Sequence, residues 1–202
     1  MKYYYLLTGL QDLQRDGKAM KMEDLLEQMQ QQMPASDWAL VELLRQDPQA
    51  EILPEDEEPS LLSEADRKTQ QYYARGCQSK NAFVRDWFCY NRDLNNLLTA
   101  AICRKHGLDV EKSVIGELPD DVAPEIKALS EVENLFDREK RQDALRWEWL
   151  EERTLFNNFD VENVLCYYLQ CEILHRWDGL TMEEGEKVFK ALVAEMKNGI
   201  KF

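Results

Sequence analysis

Glu172 and His175 stand three residues apart in VENVLCYYLQCEILHRW, so a helix would carry a carboxylate and an imidazole one turn apart on one face. That is half of the pattern with which helical bundles hold a pair of metal ions. The other half is missing, because the remaining histidine, His106, has Cys103 three places before it. Thiolate chemistry fares no better. The five cysteines, Cys77, Cys89, Cys103, Cys166 and Cys171, lie among Phe, Tyr and Leu rather than in basic surroundings, and they form no C-x-x-C pair. They read as buried thiols in a reducing cytosol. Glu148, Glu151 and Glu152 read as a solvated helix face, and no phosphate loop, dinucleotide turn, nucleophile elbow or H-E-x-x-H pair occurs. No catalytic residue, metal or cofactor is expected.

What remains is polar and aromatic. Between Phe83 and His106 an apolar helical face is interrupted by Asn91, Arg92, Asp93, Asn95 and Asn96. A buried amide or carboxylate left unpaired costs about 1–3 kcal/mol, so these side chains require partners. Asn91, Arg92, Asp93 and Asn96, with Glu172, His175 and Arg176, are therefore candidates either for partner binding or for an internal polar cluster. Asp93 and Asn96 fall one turn apart with Asn95 turned away, so the group does not face a single partner as a whole. Trp87, Arg146, Trp147 and Trp177 have the composition of interface anchors and equally of a packed core.

The elements that must position these residues read as helices. The opening Tyr3-Tyr4-Tyr5-Leu6-Leu7 is ambiguous between a strand and a first helical turn. Leu25, Leu26, Met29 and Met33 predict a helix over 22–33, and Ser36-Asp37 caps a short one ending before Pro48. Residues 47–59 hold three prolines and six acidic residues and predict a linker. A polar helix follows Ser63 as far as Gln78, then the long helix 81–106 closed by Gly107. Further helices are expected over 122–137, 139–156 and from Phe159-Asp160 to Trp177, with a last one after the capping box Thr181–Glu184. The expectation is an all-α fold of seven or eight helices in an irregular bundle. Its parts are an N-terminal helical segment 1–46, an acidic linker 47–60 and a main helical domain 61–202.

Composition sets the class of partner. The net charge is −14, from 39 acidic against 25 basic residues, which disfavours nucleic acid and anionic membranes. No window approaches 18 apolar residues, and MKYYYLLTGL lacks the features of a signal peptide. A cytoplasmic protein, monomeric in isolation, is expected.

The pattern Trp87-Phe88…Asp93-Leu94-Asn95-Asn96-Leu97, with Phe159…Glu162-x-Val164-Leu165-x-Tyr167…Glu172-Ile173…Arg176-Trp177, resembles the helical motifs of the C-type subunit of V/A-type rotary ATPases, the d-type subunit in eukaryotic V-ATPases. Tyr3-Tyr4-Tyr5-Leu6 and Asp143-Ala-Leu-Arg146-Trp147 add a resemblance to a short bacterial family of uncharacterised proteins whose genes lie among those of V-type ATPase subunits. The resemblance implies a non-catalytic coupling piece between the membrane rotor ring and the central stalk, peripheral to the membrane through its complex. The chain is shorter than the usual C-type subunit. It has Asn96-Leu97-Leu98 and His175-Arg176-Trp177 in place of the family's Asn-Leu-Arg. A cytosolic helical adaptor or regulatory module, unrelated to the ATPase, is the competing expectation.

Overall fold

In the computed structural model, which describes residues 2–48, 64–118, 124–156 and 159–178, the chain is all-helical. Among the described residues there are eight helices and no strand: α1 (Tyr4–Gly9), α2 (Met22–Gln32), α3 (Ala35–Leu44), α4 (Glu64–Cys77), α5 (Ala82–His106), α6 (Pro124–Ser130), α7 (Leu135–Thr154) and α8 (Val161–Asp178). Most of the expected acidic linker and the expected helix after Thr181 lie outside the described residues.

The folded chain divides into two compact units. One runs from Met33 to Arg146. The other joins residues up to Gln32 with those from Trp147 onward, so the expected segment 1–46 is shared between them and α7 contributes residues to both.

In the Met33–Arg146 unit, α5 is the central element. The Asn81 side chain accepts a hydrogen bond from the Val84 backbone N–H at 3.0 Å and caps its first turn. At the other end Gly107 takes the left-handed conformation, φ 67°, and the Leu108 N–H bonds back to the Cys103 carbonyl at 2.9 Å. Arg104, Lys105 and His106 occupy the last turn, where the exposed carbonyls favour positive charge. Phe83, Val84, Phe88, Leu94, Leu97 and Ala100 are buried along the helix. Leu94 and Leu97 pack with Ile126 of α6, covered by Tyr90, Leu118 and Leu145. At the α4–α5 contact Gly76 lies directly against the Phe88 ring, and Tyr72 covers that ring at 4.9 Å between centroids.

In the other unit, α8 is buried through Val164, Leu165, Cys166, Tyr168, Leu169 and Cys171 and packs against α2, which buries Leu25 and Met29 and in turn contacts α1 with its buried Leu6. The Tyr3 N–H donates to the Phe159 carbonyl at 2.9 Å, tying the start of the chain to the turn before α8. The aromatic opening is thus helical, not a strand. A second boundary also moves: the stretch expected as a helix over 122–137 ends at Ser130, and the helix expected from 139 begins earlier, at Leu135. The cause is Asn134, whose side-chain oxygen accepts from the N–H groups of Phe136 at 2.9 Å and Asp137 at 3.3 Å and so starts a new helix.

Candidate functional site

The polar interruption of α5 is knitted to its neighbours. Asn91 and Asn95 lie one turn apart on α5, and Gln142 and Arg146 one turn apart on α7, so each pair presents itself on a single helical face. Arg146 Nε donates to Asn91 Oδ1 at 2.7 Å and Nη2 to Asn95 Oδ1 at 3.4 Å. Gln142 Nε2 donates to the same Asn95 oxygen at 2.5 Å. Asn95 Nδ2 in turn donates to the Tyr73 hydroxyl of α4 at 2.7 Å, and Asn91 Nδ2 to the Trp87 carbonyl at 2.8 Å. Arg146 Nη1 completes the set with Asp143 Oδ1 at 2.6 Å, a pair whose side chains are only 12% and 3% exposed. Three helices are therefore joined by one hydrogen-bonded network. Burial pushes the Tyr73 phenol above its ordinary value, while the amide bond from Asn95 pulls it partway back.

Asn96 faces a different neighbour, as its spacing requires. It is 3% exposed and clamps the loop after α5 with two bonds: Nδ2 donates to the Ile115 carbonyl at 2.7 Å, and the Ile115 N–H donates to Oδ1 at 2.9 Å. Arg92 and Asp93 pair with each other at 2.8 Å, both about one-third exposed.

Apart from Trp87, which lies on α5, the remaining candidates belong to the other unit. Glu172 accepts from the Tyr168 hydroxyl one turn earlier on α8. His175 Nε2 lies 2.7 Å from the Met20 carbonyl, which only accepts, so that nitrogen carries a proton. Its Nδ1 is 3.9 Å from Asp178. Glu172 and His175 are thus engaged with separate partners within their own unit. Trp147 is buried at 2% exposed, with its indole N–H donating to Glu151 at 2.7 Å, whereas Trp87 and Trp177 are half-buried and Arg176 is exposed. Among the described residues, no group of three His, Cys, Asp or Glu side chains gathers at metal-binding spacing.

All five cysteines are free, three of them buried and Cys77 and Cys89 only half-buried, which corrects the expectation of uniform burial. Burial first pushes the Cys77, Cys166 and Cys171 thiols up to about 12 from the ordinary 9.0. The folded state therefore holds these protons more tightly than the unfolded chain. Their contribution to stability is complete below about pH 9 and is lost as pH rises toward 12. The expected outcome is a urea midpoint that falls as pH rises above 9, with a shallower fall in a Cys166→Ala/Cys171→Ala variant; equal slopes in the two proteins would contradict it.

The sequence pattern did not single out Tyr73, Gln142 or Asp143 as members of this cluster, and it counted Asn95 in the polar interruption of α5 without making it a candidate. Two matching one-turn spacings, Asn91/Asn95 and Gln142/Arg146, were the signal for Asn95 and Gln142.

A protein-family model described as "Protein of unknown function (DUF2764)" matches the chain over residues 50–127 and again over 117–200. No curated protein and no solved structure matches it.

Proposed function

We propose that this chain, which belongs to the DUF2764 family, is a non-catalytic subunit or accessory protein of a V/A-type rotary ATPase, coupling the central stalk to the membrane rotor ring in the manner of the C-type subunit. The observation that carries this reading is the use to which α5 puts its polar side chains. Asn91, Asn95 and Arg146, with Asp143, Gln142 and Tyr73, brace three helices against one another and leave no reactive pair at their centre. A part that transmits torque must resist shear between its helices, and a directional network does this where apolar contacts alone permit sliding. These residues include Asn95 of the Asp93–Leu97 motif on which the resemblance to the C-type subunit rests.

Among the described residues no helix is long and apolar enough to cross a membrane, and in this reading the chain is held at the membrane by its protein partners. With a net charge of −14, those partners offer neutral or basic surfaces. Arg92 and Asp93, which belong neither to the bracing network nor, like Asn96, to the clamp on the loop after α5, are the nearest candidates for such a contact. Asp93→Lys breaks a pair that is one-third exposed and costs at most about 1 kcal/mol of stability. In a direct binding assay with purified central-stalk subunits, this variant is expected to keep its fold and lose affinity. Unchanged affinity and stability would remove Asp93 from the contact surface, and no binding by the unsubstituted chain would overturn the function.

One observation favours the adaptor reading instead. Tyr5 is 85%, Leu155 74% and Phe156 82% exposed, the kind of side chains that anchor protein contacts. Recovery of a reproducible partner that is not an ATPase subunit, lost on Phe156→Ser, would support that alternative.

A further inference from the structure

The unit that contains α8 holds a cavity of about 270 Å³, open to solvent on one side. One part of its wall is aliphatic, from Leu7, Leu10 and Leu13. The rest is polar and includes Asp12, Tyr167 and Gln170, and among the described residues no Lys, Arg or His lines it. The volume is below the roughly 300–1,000 Å³ of pockets for drug-sized ligands, and suits a group the size of one long side chain.

Most polar groups around the cavity are already committed. The Tyr167 hydroxyl donates to the Gln11 carbonyl at 3.0 Å, and the Gln11 side chain donates to the Lys18 carbonyl at 2.7 Å. Thr154 donates back into α7. Two groups are not committed: among the described residues the Asp12 carboxylate, exposed at the mouth of the cavity, and the half-buried Gln170 amide have no hydrogen bond or ion pair. The basic residue nearest in sequence, Arg15, is turned toward Glu148 at 3.4 Å. Burial first, then the neighbouring Cys171 and last the Asp12 charge, hold the Tyr167 phenol above its ordinary value.

We infer that this cavity binds an organic cation with a short aliphatic stem, an alkylammonium or alkylguanidinium group. The leucines receive the stem, the Asp12 carboxylate pairs with the charged head, and the Gln170 amide oxygen accepts a hydrogen bond from it. Anions are excluded, since the free carboxylate repels them and no lining cation offsets it. The site is independent of the rotary reading and stands or falls separately. The same cation is available from two sources, a free small amine or a Lys or Arg side chain of another protein.

The test is a titration of the ¹⁵N-labelled full chain by NMR with n-butylguanidinium, and with n-butanoate as the control. The expected result is saturable shifts at Asp12 and Gln170 in the millimolar range with the cation and none with the anion. Asp12→Asn is expected to weaken binding by about tenfold or more, and Gln170→Leu by a smaller factor, with the rest of each spectrum unmoved. Absence of saturation, an equal response to butanoate, or unchanged binding by both variants would overturn the inference. Agmatine compared with an acetylated and amidated Gly-Arg-Gly peptide identifies the source: tighter agmatine binding supports a free amine, tighter peptide binding a protein side chain.

Discussion

Replacing Arg146 by Met is expected to cost about 3–5 kcal/mol of folding stability, a large share of the roughly 5–15 kcal/mol available to a domain. The side chain is nearly isosteric over its stem, so little packing is lost. What disappears is the fork that serves Asn91, Asn95 and Asp143 together. Asp143 is 3% exposed, and its buried charge would lose the 2.6 Å pair with Arg146. Removing one member of such a pair is far more costly than removing both. The double variant Arg146→Met/Asp143→Leu is therefore expected to recover much of the loss. Arg146→Lys falls between, because an ammonium delivers a point charge in place of a planar fork and does not span three acceptors. Urea denaturation with an unchanged slope gives each value, and the cycle isolates the coupling. A loss below about 1 kcal/mol for Arg146→Met would mean that the network is not what holds α5 and α7 together.

The second large effect is one where helix propensity and packing predict opposite signs. Alanine is favoured over glycine inside a helix by about 0.8–1.0 kcal/mol, so Gly76→Ala in α4 would stabilise an isolated helix. In the folded unit a methyl group at Gly76 would overlap the Phe88 ring, at its Cγ and both Cδ atoms. Phe88 is 1% exposed and bounded by Tyr72, so the ring has no open space into which to rotate. Overpacking of this kind costs about 1–3 kcal/mol, occasionally more, which exceeds the propensity gain. Gly76→Ala is expected to destabilise the chain, and Phe88→Leu in the same background to relieve part of the strain, seen as a non-additive cycle. A rise in the denaturation midpoint with Gly76→Ala would show that α4 and α5 separate easily, contrary to a stiff scaffold.

How far these features were legible in the sequence depends on the range of the interaction that decides them. The closure of α5 at Gly107 was readable, since the basic last turn and the glycine act within a few residues. The break before α7 was harder, because Asn134 sits in an otherwise helical pattern and only its cap bonds reveal the start. The aromatic opening was undecidable locally, where tyrosines suit strand and helix alike; its bond to the Phe159 carbonyl comes from a distant part of the chain.

The candidate site divides in the same way. That the asparagines of α5 needed partners followed from the cost of burying amides. Their partners did not follow, because Gln142 and Arg146 are 47 and 55 residues away from Asn95 and Asn91. Helical spacing turns Asn95 away from Asp93 and Asn96, and that orientation is what places it between Tyr73 and Gln142. The cavity beside Asp12 was invisible in the sequence, since its walls come from α1, the following loop, α7 and α8.

The most direct measurement of the proposed function is gentle isolation of the rotary ATPase from native membranes through a tag on this chain. Central-stalk and rotor-ring subunits are expected to be recovered with it in fixed proportion, and Asp93→Lys to lower that recovery without unfolding the chain. An intact ATPase isolated without this chain, together with a tagged chain that brings down no ATPase subunit, would contradict it.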